Sequence, residues 1–176
     1  MFYGLTSLGV VHTAISLVAL GAGITSLVRH KELAPSTGVG RLYIGTTILV
    51  CLTGFPIMQH GGPGPAHVLG VLTLLALAFA WAVPRYGLLG ARGPALVRLV
   101  YSTTFLFHLV PTLAESTTRL PYGHPLFASQ DDPGLKPFTG ALFVSFAILA
   151  AVQYFWFRSQ SRKNLPDTEE ATPHTV

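Results

Sequence analysis

Five runs of almost purely apolar residues, about Tyr3–Val28, Leu42–Met58, His67–Val83, Ala95–Glu115 and Phe138–Phe157, contain no lysine, arginine, aspartate or glutamate apart from Arg98 and Glu115 in the fourth. A helix rises about 1.5 Å per residue and must cross about 30 Å of hydrocarbon with every amide paired inside the segment. Runs of this length and purity therefore predict helices that span a bilayer. Charged residues make up 10% of the chain, against roughly 25% in soluble domains. The expected fold is all-α, a polytopic bundle of five transmembrane helices over residues 1–158, followed by a flexible polar tail over 159–176.

Basic residues near span ends are retained on the cytoplasmic side. Arg29, Lys31 and Arg41 lie between the first and second spans, Arg85, Arg92 and Arg98 around the third turn, and Arg158, Arg162 and Lys163 after the fifth span. The opposite side holds only Arg119 and Lys136, so the amino terminus is expected outside and the carboxyl terminus in the cytoplasm. The net charge of +4 follows from orientation and from attraction to anionic lipid, without a nucleic-acid partner. Cys51 is the single cysteine, which excludes an intrachain disulfide.

This topology places five of the seven histidines, His12, His60, His67, His108 and His124, toward the outer side; His30 and His174 fall on the inner one. Counted along the helices, His12, His60 and His67 stand about 25 to 28 Å from the nearest basic residue of their spans, so three helices bring imidazole to one level. His108 belongs to a stripe on the fourth span, Tyr101, Thr104, His108, Thr112 and Glu115, at spacings of three and four. Such a stripe shares one helix face, and ionisable residues inside a membrane turn toward the bundle interior. The small residues of the first span, Gly9, Ser16, Ala19 and Gly23, form a close-packing face beside His12.

Three readings of the histidines compete. They are interfacial residues and interhelical hydrogen-bond donors; or His12 and His108, with His60, His67 and Glu115, hold a transition metal or haem b; or the site accepts a quinone headgroup or a lipid. For haem, Gly9, Ser16, Gly54 and Gly70 would leave room for the macrocycle. The metal-site reading implies membrane electron transfer; its rival is a non-enzymatic accessory subunit of a larger membrane complex or homo-oligomer, docking through the long 116–137 connection. That connection would otherwise lie as a cap over the outer end. Signatures of soluble enzymes, such as His-Glu-x-x-His, a phosphate loop or a nucleophile elbow, are absent from the sequence.

The sequence Val11-His12-Thr13, the Gly21-x-Gly23 pair, the basic turn leading into Gly40-Arg41-Leu42-Tyr43, and His67 opening the third helix resemble a family of bacterial inner-membrane proteins of unknown function, over about residues 8–83. The resemblance implies a bacterial cytoplasmic membrane location and no particular reaction. The histidine that precedes the Gly-Arg turn in that family is replaced here by Ser36-Thr37-Gly38. In outline the chain is also similar to b561-type membrane cytochromes, which implies bis-histidine haem; the histidines here would serve one haem, at the outer face.

Overall fold

The computed structural model describes residues 6–58 and 62–163. Within them the chain forms five α-helices and no strand: α1 Ser7–His30, α2 Gly38–Gly54, α3 Pro65–Arg85, α4 Gly93–Arg119 and α5 Leu135–Lys163, with a 3-10 turn at Gly90–Arg92 before α4. Four of these, α1, α3, α4 and α5, are long and apolar enough to cross a membrane, whereas α2 has only 17 residues. This is the makeup of a multi-pass membrane protein.

Capping chemistry sets several helix ends. Thr6 accepts the Gly9 amide at 3.1 Å to open α1. Thr37 does the same for Gly40 at 2.9 Å, so α2 starts at Gly38, four residues before the apolar run beginning at Leu42. It ends at Gly54: Phe55 keeps helical angles (φ −57°, ψ −38°) and still donates to the Cys51 carbonyl at 3.2 Å, but Pro56 has no N–H with which to continue the ladder. The second expected span is thus displaced toward the amino terminus. α5 is longer than expected: Ser159–Lys163, assigned to the tail, continue the helix. Residues 164–176 lie outside the described part.

The helices α1, α2, α3 and α4 pack in that order around a ring, with α1 also against α4; α5 lies outside, against α4. Only 6% of the apolar window of α5 is buried, compared with 33% for α4. Tyr43 and Phe105 meet edge to face at 6.0 Å in the interior, together with Ala22, Leu77, Ala80 and Tyr101. A Cβ on Gly23 would come within 2.5 Å of the Phe105 ring and 3.1 Å of Tyr43, so α1 can approach this pair only through a glycine.

One end of the bundle gathers Arg29, Arg41, Arg85, Arg92 and Arg98 and is called the basic end below. Here α1 closes on Lys31 in the left-handed region (φ 60°), and the following turn reaches into the bundle. Leu33 is fully buried, and Ser26 donates to the Glu32 carbonyl at 2.7 Å. The Glu32 carboxylate accepts Arg98 Nε at 2.7 Å, while the guanidinium lies 4.1 Å from the Phe157 ring centre. Gln153 of α5 donates to the Lys31 carbonyl at 3.0 Å and accepts Ser102 at 2.7 Å. One amide thereby ties α5 to α4 and to the α1–α2 turn.

At the opposite end, the connection after α4 folds back on the helix ends it joins. Phe127 donates its amide to Thr117 at 3.1 Å and stacks edge-on against Phe138 at 5.4 Å. Asp132 accepts the amides of Ala128 and Gly134 at 3.2 and 2.8 Å. Its hydrogen bonds run to the ends of α4 and α5 and within itself, and most of its side chains are exposed.

Candidate functional site

The polar stripe of α4 faces inward. Tyr101, Thr104 and His108 are buried, and Thr112 and Glu115 are half-buried. His108 is 6% exposed and directs Nε2 at the Ser16 carbonyl of α1, 3.2 Å away. A carbonyl can only accept, so Nε2 carries the proton and Nδ1 keeps its lone pair. Ser16 lies one turn from His12, and its hydroxyl donates to the His12 carbonyl at 2.8 Å.

The His12 ring crosses to α2. Its Nδ1 is 3.0 Å from Thr53 Oγ1, whose own proton goes to the Leu49 carbonyl at 2.7 Å. The ring therefore donates from Nδ1, and Nε2 is left with a lone pair. Its face rests on Gly54, where a Cβ would sit 3.1 Å from Cε1.

His67 is engaged on both sides. The Gly64 amide donates to Nδ1 at 3.1 Å, so Nε2 bears the proton and gives it to the Phe55 carbonyl at 3.2 Å. This imidazole caps the start of α3 and binds it to the end of α2, satisfying a carbonyl that α2 leaves unpaired as it terminates. Glu115 is likewise occupied: one oxygen accepts Arg119 Nε and the other Gln130 Nε2 at 2.7 Å, which fastens the α4–α5 connection to α4. His124 lies in that connection, with its backbone amide on the Pro121 carbonyl at 3.0 Å. His60 lies outside the described residues.

His12, His67 and His108 therefore share one end of the bundle, the histidine end, joined by contacts that run α3 to α2 to α1 to α4. His12 and His108 meet at Ser16, whose hydroxyl donates to the His12 carbonyl and whose carbonyl accepts from the His108 ring. Among the described residues no three His, Cys, Asp or Glu side chains converge as a metal-ion set. The faces of Gly54 and Gly70, where the sequence leaves room for a macrocycle, are covered by the chain's own rings: His12 on Gly54, and Phe55 with its Cε1 3.2 Å from where a Cβ on Gly70 would be.

Four partners of these histidines escape a reading by residue type, namely the amide of Gly64, the carbonyls of Ser16 and Phe55 and the hydroxyl of Thr53. Backbone groups leave no trace in composition. Thr53 carries a weak signal, since it precedes a glycine that lets an imidazole approach. Compared with family models, curated proteins and solved structures, the chain matches none.

Proposed function

We propose that this chain crosses a bacterial cytoplasmic membrane five times, amino terminus outside, and that His12 and His108 hold a redox-active transition metal at its outer end and pass electrons across it. One observation carries the reading: each imidazole donates one ring N–H to a protein oxygen and keeps the lone pair of its other nitrogen. Metal-ligating histidines are oriented in this way, because the outer hydrogen bond fixes the tautomer and raises the basicity of the ligating nitrogen. Haem b and a bare ion both suit two imidazoles; the covered faces of Gly54 and Gly70 favour the ion. Its remaining positions would be filled by solvent or a substrate such as a quinol.

The test is absorbance of the purified protein, oxidised and dithionite-reduced, together with elemental analysis. The expected result is one metal per chain, lost in His12→Ala and in His108→Ala and retained in His67→Ala. A sample with neither a Soret band nor a stoichiometric metal would overturn the proposal.

A second reading, an accessory subunit of a larger membrane complex, is favoured by α5. This helix packs on the bundle through α4 and presents Phe143, Val144, Ile148, Leu149, Val152 and Trp156 outward. Isolation from native membranes in mild detergent with a stoichiometric partner, and unchanged activity of that complex in His12→Ala, would establish it.

A further inference from the structure

The α4–α5 connection is held low on the bundle. With 27 residues, α4 is about 40 Å long, about 10 Å more than the hydrocarbon of a bilayer. Past its end the chain turns back: Phe127 donates its amide to the Thr117 carbonyl, and Gln130 donates its Nε2 proton to Glu115. Glu115 and Thr117 stand about 14 and 17 Å along the helix from its middle residue, Leu106, where about 30 Å of hydrocarbon gives way to headgroups. The connection is therefore drawn down to headgroup depth and does not rise above the helix ends.

At this depth the connection and the first turns of α5 form an open cleft of about 520 Å³, within the roughly 300–1,000 Å³ of small-molecule sites. It is lined by Gln130, Asp131, Asp132, Leu135, Lys136 and Thr139. Asp132 shapes it, since its two carboxylate oxygens hold the amides of Ala128 and Gly134. Asp131 and Lys136 differ from it. Both are exposed, and neither side-chain charge has an ion-pair or hydrogen-bond partner among the described residues. Gln130 gives its N–H to Glu115, and Thr139 gives its proton to the Leu135 carbonyl at 3.2 Å, which leaves an amide oxygen and a hydroxyl oxygen able to accept. Asp131, Gln130 and Thr139 thus offer acceptors, and Lys136 offers an ammonium.

A ligand that answers both signs carries a primary ammonium and an anion a few bonds apart. Ethanolamine phosphate is such a group: its ammonium has three N–H donors for the acceptors, and its phosphate accepts from Lys136. Choline has no N–H to give a carboxylate and is recognised by aromatic faces, which this lining lacks. A glycerol headgroup brings no cation to Asp131. One turn on from Thr139, α5 carries Leu142 and Phe143 on the same side, the latter 45% exposed, so acyl chains beneath the cleft meet apolar helix surface. We propose that the cleft holds the headgroup of phosphatidylethanolamine from the surrounding leaflet, its ammonium on Asp131, Gln130 and Thr139 and its phosphate on Lys136. The inference rests on the helices crossing a bilayer and is independent of any metal at His12 and His108.

The full chain, delipidated in dodecyl maltoside and titrated by calorimetry with the dihexanoyl forms of phosphatidylethanolamine, phosphatidylcholine and phosphatidylglycerol, provides the test. Phosphatidylethanolamine is expected to bind saturably and roughly tenfold or more tighter than the other two, the scale of a hydrogen bond to a charged group. Asp131→Asn should abolish the preference for ethanolamine over choline. Lys136→Gln should weaken both of these lipids by a similar factor, because the phosphate is common to them. Thr25→Val, at a hydroxyl bonded within α1 on its exposed face, should leave all three affinities unchanged. Asp131 and Lys136 are exposed, so their replacements keep the fold, which circular dichroism verifies. Soluble glycerophosphoethanolamine, the headgroup without its chains, should bind at least about tenfold more weakly than the lipid. Equal affinity for the three lipids, or wild-type affinity in folded Asp131→Asn and Lys136→Gln, would overturn the proposal. So would glycerophosphoethanolamine binding as tightly as the lipid, which would make the cleft a receptor for a water-borne zwitterion.

Discussion

Two glycines of α1, two positions apart, illustrate how narrowly a contact is specified. A Cβ at Gly21 meets nothing within 4 Å, whereas one at Gly23 enters the Phe105 ring. Gly23→Val should lower the stability of the detergent-solubilised protein by about 1–3 kcal/mol, because an overpacked ring must leave its rotamer. Gly21→Ala should leave the thermal midpoint unchanged or raise it slightly. Helical ellipticity followed against temperature measures both. His67 makes a similar case at the helix junction. His67→Ala removes the acceptor of the Gly64 amide and the donor to Phe55, which should cost about 1–2 kcal/mol. At this scale the sequence was partly legible. The inward direction of His108 could be read from the spacing of Tyr101, Thr104 and Thr112. The structural engagement of His67 could not, since both its partners are backbone atoms.

Among the elements, α5 is the most weakly held. It packs on α4 and is tied at the basic end by Gln153, the one amide side chain in an otherwise apolar run. Gln153→Leu makes α5 more apolar but leaves Ser102 and the Lys31 carbonyl without their partner. Amide hydrogen exchange should then quicken in the second half of α5 and in the 31–33 turn, while α2 and α3 keep their protection. The Arg98–Glu32 pair is partly exposed, so a double-mutant cycle of Arg98→Met and Glu32→Gln should give a coupling of roughly 1 kcal/mol or less that shrinks in salt. Hydropathy located α1, α3, α4 and α5 because membrane insertion depends on apolar length. It misplaced α2 by four residues because Thr37 and Pro56, which bound that helix, act through local hydrogen bonding. The burial of Leu33 in the turn was hidden for another reason: nothing in a short connection tells whether its apolar residue points into the bundle.

For the molecule as a whole, the asymmetry between the basic and histidine ends makes a topological prediction. In a Cys51→Ser background on intact cells, a membrane-impermeant maleimide should label Tyr122→Cys in the α4–α5 connection and spare Arg85→Cys at the end of α3 until the membrane is opened. The reverse pattern would invert the orientation. Set in a bilayer, the ring of helices is also uneven in height. At 17 residues, α2 is about 25 Å long, against about 30 Å of hydrocarbon. Lipid beside a short helix thins to meet it. With α2 crossing the bilayer as proposed, this side of the protein would form a dimple in the membrane. At the histidine end that dimple would lower headgroups and water toward Thr53 and the half-buried His12 ring, opening this imidazole to approach from the side as well as from above.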